Sequence, residues 1–146
     1  MTGVYLVAAE LSRRGLIASP TSRSAYGADL LVTDSKCQRS YAVQVKTNAS
    51  AFRFWLLNRH AKELRSRNLI YALVNLRKDR TEYYLVPSRV VARYIHISRP
   101  SKTRKAFWYS VHIRDIEKYK DKWRVFKNAE GPTKPSSGRG KRRRAA

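Results

Sequence analysis

The run Leu69–Leu76 (LIYALVNL) limits the fold of this chain more than any other segment. It is a continuous apolar stretch of strand length, and it predicts a buried β-strand. Segments rich in β-branched and aromatic residues predict further strands, and these are Leu16–Ser19, Ala28–Thr33 (ADLLVT), Tyr41–Lys46 (YAVQVK), Glu82–Val86 (EYYLV) and Ala106–Ile113 (AFWYSVHI). The chain is therefore expected to build a β-sheet.

Helical patterns lie between these strands. Val4–Arg14 places apolar residues at i, i+3, i+4 and i+7, and Gly15 follows as a plausible helix stop. Further helices are predicted at Phe54–Arg67, at Ser88–Tyr94 and, as a short aromatic helix or turn that packs as a lid, at Asp115–Val125. The order is helix, three strands, helix, two strands, helix. We therefore predict an α/β sandwich with one mixed sheet flanked by helices.

The chain has 146 residues, room for one ordinary domain and a tail. Its 42% hydrophobic share is enough for a packed core. Beyond Asn128 the composition shifts to Gly, Pro, Ser, Lys and Arg, without periodic apolar residues. We therefore predict one domain at 1–127 and a disordered basic tail at 128–146.

Positive charge is the strongest compositional signal. Thirty-two Lys and Arg against ten Asp and Glu give a net charge of +22. From Lys127 onward there are seven basic residues and one acidic residue, so residues 1–126 still carry +16. An excess of this size most often marks a polyanionic partner, although a solubility role or a membrane-surface signal is an alternative. The predicted folded body is thus itself basic.

Other sequence features indicate the cellular compartment that we expect for this protein. No segment approaches the ~20 apolar residues of a membrane span, and the apolar start Met1–Leu11 lacks the basic residues and cleavage site of a signal peptide. Cys37 is the only cysteine, which excludes an intrachain disulfide and a cysteine-based zinc cluster. We expect a reducing, cytoplasmic setting, in association with nucleic acid and not with a membrane.

Asp29, Gln44 and Lys46 form the most informative combination of polar residues. Asp29 stands at the head of one predicted strand, and Gln44 and Lys46 lie two apart on the next, hence on one face. If the two strands form a hairpin, Asp29 meets the other two across it. Oxygen ligands for Mg²⁺ beside a lysine suit phosphodiester hydrolysis.

The pattern GAD-LLVTDSKCQRSYAV-QVK resembles the signature of the PD-(D/E)XK nucleases. The first helix and its LSRRG end also resemble archaeal Holliday-junction resolvases. The remainder, including FWLLNRHAKEL, VNL, YYLVPSRVVARYI and YKDKW, is similar to a bacterial branch linked to group I intron homing endonucleases. The resemblance covers roughly residues 3–126. It implies a restriction-endonuclease-like core.

This resemblance implies a role for each residue of the pattern. Asp29, Gln44 and the carbonyl of Val45 would contact Mg²⁺ or Mn²⁺, and Lys46 would act on the attacking water or the transition state. Gln44 lacks the negative charge of the usual Glu. Val4 stands where the family's first helix usually supplies a Glu. Glu10 lies 240° around the helix from Val4 at 100° per residue, so it replaces that Glu only if the helix is oriented differently.

Further basic residues are candidates for contacts to nucleic acid, and they are Arg23, Arg59, His60, Lys141, Arg142, Arg143 and Arg144. For the rest, ordinary structural roles are expected. Phe52, Phe54 and Trp55 are expected to be core or lid residues and not a base-stacking platform. Asp34 is expected to belong to a turn, and His96 and His112 show no metal-ligand spacing.

Three functions are compatible with these sequence features. The first is a divalent-metal-dependent endodeoxyribonuclease of the PD-(D/E)XK type, with DNA as partner and RNA not excluded. The alternative is a non-catalytic nucleic-acid-binding module on the same fold, with the helix Glu replaced by Val4. A basic RNA-associated protein of the ribosomal kind is a third reading. Relatives that cut both strands pair their active sites, so a homo-oligomer is compatible with the resemblance.

Overall fold

The computed structural model describes residues 1–22, 27–50 and 52–126, and the structural statements below concern these residues. Three α-helices are present, α1 (Thr2–Arg13), α2 (Ser88–Tyr94) and α3 (Ile113–Ile116). The strands are β1 (Ile17–Pro20), β2 (Leu30–Thr33), β3 (Ser40–Asn48), β4 (Phe54–Leu57), β5 (Leu69–Leu76), β6 (Thr81–Pro87), β7 (His96–Ser98) and β8 (Trp108–His112). Short 3₁₀ helices cover Arg59–Lys62, Glu117–Tyr119 and Trp123–Val125.

A five-stranded sheet with the order β1-β2-β3-β5-β6 forms the centre of the fold. Strands β3 and β5 run parallel, and the other neighbours run antiparallel. The sheet is therefore mixed, and the prediction of a mixed α/β fold is confirmed. Seven of the eight residues of Leu69–Leu76 are buried, as expected of a strand covered on both faces.

One face of the central sheet is covered by α1. Val4, Val7 and Leu11 of this helix join Leu30, Val32, Val43 and Val45 of the sheet in a first core cluster, which Trp123 and Phe126 complete from the end of the described chain. The predicted lid segment thus contributes side chains to the core. The loss of one large apolar side chain here would cost about 2–5 kcal/mol.

The helix α1 ends at the glycine that the sequence indicated. Gly15 has a φ of +79°, which favours glycine over residues with a Cβ. Its N–H donates to the Ser12 carbonyl at 3.0 Å, and the N–H of Leu16 donates to the Leu11 carbonyl at 3.1 Å. This pair of bonds is a Schellman motif, so the helix stops and the chain turns into β1.

The opposite face of the central sheet is covered by a second, three-stranded sheet with the order β4-β8-β7, together with α2. Trp55, Tyr71, Tyr84 and Ile116 are among the residues of this second core cluster. The indole N–H of Trp55 donates to the Val74 carbonyl at 3.1 Å and so joins β4 to β5. The two sheets are thus tied by both packing and a buried hydrogen bond.

The predicted helix at Phe54–Arg67 is wrong. Phe54–Leu57 is the strand β4, in which Trp55 and Leu57 are buried while Phe54 and Leu56 are more exposed, an alternation typical of a strand. Asn58 then caps a single 3₁₀ turn through its Oδ1, which accepts from the Ala61 N–H at 3.3 Å. Strand β7 and the second sheet were also not predicted.

Other boundaries differ from the predictions by a few residues. Strand β2 begins at Leu30, two residues later than predicted, and β3 is longer at both ends. Asp34 accepts a hydrogen bond from the Gln38 N–H at 2.7 Å, which confirms its place in the β2–β3 turn. The predicted tail at 128–146 lies outside the described residues. Among the described residues, no helix is long and apolar enough to cross a membrane.

Candidate functional site

Gln44 and Lys46 lie on strand β3, and the Asp29 carboxylate contacts Val45, the residue between them. Strands β2 and β3 form the expected antiparallel pair, and their ladder ends with Leu30 opposite Val43, directly after Asp29. Val43 and Val45 point into the first core cluster, so Gln44 between them points to the other face. Lys46 lies two residues beyond Gln44 on that same face.

The carboxylate of Asp29 is held by the backbone of β3. The Val45 N–H donates to Asp29 Oδ2 at 2.7 Å, and the Asp29 N–H donates to the Val43 carbonyl at 2.8 Å. On its other side, the Asp29 carbonyl accepts from the Thr21 N–H at 3.0 Å. The aspartate is therefore fixed between β1 and β3 at the start of β2, with its side chain half-buried.

The backbone carbonyl of Val45 faces the same side of β3 as its N–H, because the two groups of one strand residue point the same way. That N–H reaches Asp29, so the carbonyl also faces the segment that carries Asp29. The carboxylate, the Gln44 amide and this carbonyl supply three oxygen atoms of the kind that Mg²⁺ prefers.

These residues fit a hard divalent cation in the chemistry of their donors, although they provide little negative charge. Mg²⁺ is commonly bound through one or two carboxylates, with waters and substrate phosphates completing its shell. Asp29 supplies one carboxylate. Among residues 1–22, 27–50 and 52–126, no three His, Cys, Asp or Glu side chains come together as metal ligands. A cation here would need further ligands besides these three groups.

Val4 and Glu10 both belong to the helix on the other side of the sheet. Val4 is 8% exposed and belongs to the first core cluster together with Val45. Glu10 forms ion pairs with Arg13 and Arg14, and the Arg14 guanidinium stacks 4.2 Å from the ring centre of Trp123. The structure therefore does not bring Glu10 to Asp29, and its ion pairs give it a structural role.

Of the other residues predicted to contact nucleic acid, the structure describes Arg59 and His60. Arg59 is exposed and His60 half-buried on the 3₁₀ helix Arg59–Lys62, which packs against α2. Ala61 of the same 3₁₀ helix belongs to the second core cluster, which lies on the side of the central sheet that Lys46 faces. Arg59 and His60 are therefore on that side as well. Arg23 and Lys141, Arg142, Arg143 and Arg144 lie outside the described residues.

Lys46 borders a cleft that the sequence did not indicate. The aromatic cleft, as we call it, has a volume of about 300 Å³, and its lining includes Lys46, Phe52, Phe54, Leu56 and Trp108. Trp55, at 1% exposed, is a core residue as predicted, whereas Phe52 is 53% exposed and is therefore not a core residue. Trp108 gave no signal in the sequence because its nearness to Lys46 depends on the second sheet.

Tyr71 is a further residue that the sequence did not indicate. It lies beside Gln44 in the parallel ladder of β3 and β5, so both side chains are on the same face. Its hydroxyl is buried and has no hydrogen-bond partner among the described residues. Burial raises the pKa of Tyr71 to about 12, so the hydroxyl stays protonated at neutral pH.

His96, His112 and Asp115 form a second polar cluster on and beside the three-stranded sheet β4-β8-β7, which we call the small sheet. His96 Nε2 and Asp115 Oδ2 are 2.8 Å apart, and the rings of His96 and His112 meet edge to face with centres 4.4 Å apart. His112 Nε2 lies 3.3 Å from Ser110 Oγ. Burial lowers the pKa of His112, and the charges of His96 and Arg114 lower it further, against a smaller opposite effect of Asp115.

No protein-family model matches this chain, and no curated protein matches it closely enough to count as a relative.

Proposed function

We propose that this protein binds DNA and hydrolyses its phosphodiester bonds with the help of a divalent metal ion, on a restriction-endonuclease-like fold. The observation that supports this most is the hydrogen bond that holds the Asp29 carboxylate at Val45, between Gln44 and Lys46 on β3. The net charge of +16 on residues 1–126 favours a polyanionic substrate.

Each residue of the site has a role in this proposal. Asp29, Gln44 and the Val45 carbonyl would hold Mg²⁺ or Mn²⁺. Bound there, the cation would polarise the scissile phosphate and lower the pKa of a water. The Lys46 ammonium group contacts a phosphate oxygen and offsets the negative charge that develops during attack. The hydrogen bond from the Val45 N–H keeps the Asp29 carboxylate in position before substrate arrives.

The test is cleavage of supercoiled plasmid DNA by the purified full chain in Mg²⁺ or Mn²⁺. Asp29→Asn keeps an oxygen that accepts from the Val45 N–H but loses the charge, and Lys46→Met keeps most of the side-chain volume. Each is expected to lower the cleavage rate at least about 100-fold, the order found when one catalytic group is removed.

Matched controls come from exposed charges elsewhere. Asp79→Asn and Lys36→Met remove the same charges at exposed positions outside the site and are expected to keep wild-type cleavage. Equal cleavage by Asp29→Asn, Lys46→Met and the wild type would show that the site is wrongly assigned.

A second candidate is a nucleic-acid-binding module without catalysis. It is favoured by the position of Val4, which is buried in the first core cluster and so leaves Asp29 as the carboxylate of the site. This candidate predicts salt-dependent DNA binding that is unchanged by EDTA and no cleavage at any metal concentration. Competition between duplex DNA and structured RNA for the same protein would show which polymer it prefers.

A further inference from the structure

One face of the small sheet packs against the second core cluster, and its other face points away from that cluster. Trp55 and Leu57 of β4 and Val111 of β8 face the second core cluster. The alternate residues face the other way, and in the β4–β8 ladder Phe54 lies opposite His112 and Leu56 opposite Ser110. Trp108 continues this outer face at the start of β8. An aromatic surface therefore faces away from the core.

Several side chains on this surface are exposed. Phe52 is 53% exposed, Leu56 46% and Trp108 42%. The rings of Phe52 and Phe54 are in contact, with centres 5.5 Å apart, and the Phe54 ring lies 5.7 Å from His112. These rings support one another while leaving part of their area open to a ligand. Exposed aromatic groups of this kind mark binding sites more often than isolated exposed residues do.

Cationic groups border the aromatic cleft. Lys46 lines it from β3, and the guanidinium of Arg104 lies 4.4 Å from the ring centre of Trp108. Arg104 is held there by hydrogen bonds to the Ala106 carbonyl at 3.2 Å and the Arg99 carbonyl at 2.7 Å. No acidic side chain is among the described residues that line the cleft. A ligand that matches the aromatic cleft would therefore combine a flat apolar group with negative charge.

We propose that the aromatic cleft stacks an unpaired nucleobase of a nucleic acid strand whose backbone phosphate lies at Lys46. The inference rests on the proposed function, because it takes Lys46 as a phosphate contact. It adds a substrate class, namely nucleic acids that contain single-stranded nucleotides. Every base has a π-face, so stacking on exposed rings beside basic groups binds single strands with little sequence preference.

Lys46 belongs both to the cleft and to the Asp29 site, and this continuity favours a nucleotide over a peptide. A base in the cleft and a phosphate at Lys46 are parts of one ligand, whereas an apolar peptide segment would leave the cations unpaired. A base-paired strand keeps its bases inside the duplex, so the cleft would discriminate for unpaired nucleotides.

The test compares binding of a fluorescein-labelled twelve-nucleotide oligo(dT) with binding of a blunt duplex of the same length. Anisotropy is measured in EDTA, so that cleavage does not interfere. Trp108→Ala and Phe52→Ala are each expected to weaken oligo(dT) binding about 5- to 100-fold, the effect of losing one base–aromatic stack. Duplex binding is expected to change less than about twofold, because the basic surface supplies most of it.

Two further variants serve as controls. Phe107→Ala removes a neighbouring ring that is equally exposed, at 53%, but does not line the cleft, and it is expected to bind like the wild type. Trp108→Phe keeps an aromatic ring and is expected to retain most of the oligo(dT) affinity. Thermal unfolding of every variant verifies that it is folded.

Tryptophan fluorescence gives a second readout. Trp108 is exposed, whereas Trp55 and Trp123 are 1% and 6% exposed, so quenching by oligo(dT) is expected from Trp108 and should be absent in Trp108→Phe. If Trp108→Ala and Phe52→Ala bind both ligands as Phe107→Ala does, the inference is overturned and the proposed function stands. If the wild type binds neither ligand, the proposed function fails, and the inference fails with it.

Discussion

Val4 is the residue at which this chain departs most from the pattern that it resembles. Its side chain is 8% exposed and lies in the first core cluster, on the opposite face of the sheet from Gln44 and Lys46. A valine suits that environment, because an ionised carboxylate without a partner is costly there. The apolar packing around Val4 therefore suits an uncharged side chain at this position.

We expect Val4→Glu to lower the free energy of unfolding by about 3 kcal/mol or more, the cost of an uncompensated buried charge. Urea denaturation measures this, with Val4→Ala as a control that loses packing without adding charge. Saturating Mg²⁺ is expected not to restore the stability of Val4→Glu. Metal-dependent cleavage that is faster in this variant than in the wild type would contradict the expectation, and it would mean that the side chain at position 4 reaches the cation.

The nearness of Asp29 to the segment Gln44–Lys46 was open to prediction because it is local. A hairpin joins two consecutive strands, and the alternation of side chains then fixes which residues share a face. The anchoring of Asp29 by the Val45 N–H and the position of Trp108 were not open to prediction in this way. They depend on bond geometry and on contacts between residues far apart in the chain.

At the scale of elements, β4 shows why part of the fold was missed. The segment Phe54–Leu57 has four large apolar residues in succession, which suit a helix or a strand equally well in isolation. Its hydrogen-bonding partner β8 begins at Trp108, about fifty residues later. Non-local pairing of this kind leaves no local signal, whereas α1 and β5 carry their own periodicity and were predicted closely.

The small sheet is expected to make folding sensitive to mildly acidic pH. Because the pKa of His112 is lowered in the folded state, the unfolded chain binds this proton more readily. Stability is therefore complete above the unfolded histidine pKa of about 6.5, and it falls as the pH drops through 6.5 to the lower folded pKa.

His112→Phe keeps a ring against Phe54 and His96 but does not titrate. Its free energy of unfolding, measured by urea denaturation between pH 5 and 8, is expected to fall less steeply toward low pH than that of the wild type. Every other titratable group is present in both proteins, so the difference between the two curves isolates His112. Parallel curves would count against the effect.

At the scale of the whole molecule, the basic charge is divided between the domain and the segment 128–146. Removing residues 128–146 deletes six basic residues and one acidic residue. We expect the truncated chain to keep its preference among nucleic acid structures, because the Asp29 site and the aromatic cleft lie within residues 1–126. Its affinity is expected to fall most at low salt, where contacts to phosphate contribute most.

The measurement is the slope of log K against log salt for duplex DNA. Neutralising one phosphate contributes about −0.9 to this slope, so truncation is expected to make it shallower by up to about five. A scrambled tail of the same composition should restore the slope, since contacts to the backbone need no particular order. An unchanged slope after truncation would show that the tail does not contact DNA.

If the proposed function holds, the hydrogen bond between the Trp55 indole and the Val74 carbonyl has a consequence for where a nucleic acid strand would be cut. It joins β4 to β5 within the core, and β5 is paired with β3, which carries Lys46. Under the two proposals, the distance from a base on Trp108 to the phosphate at Lys46 would then be set by paired strands of the two sheets. Product ends should accordingly fall at one constant number of nucleotides from the unpaired base, whatever the surrounding sequence.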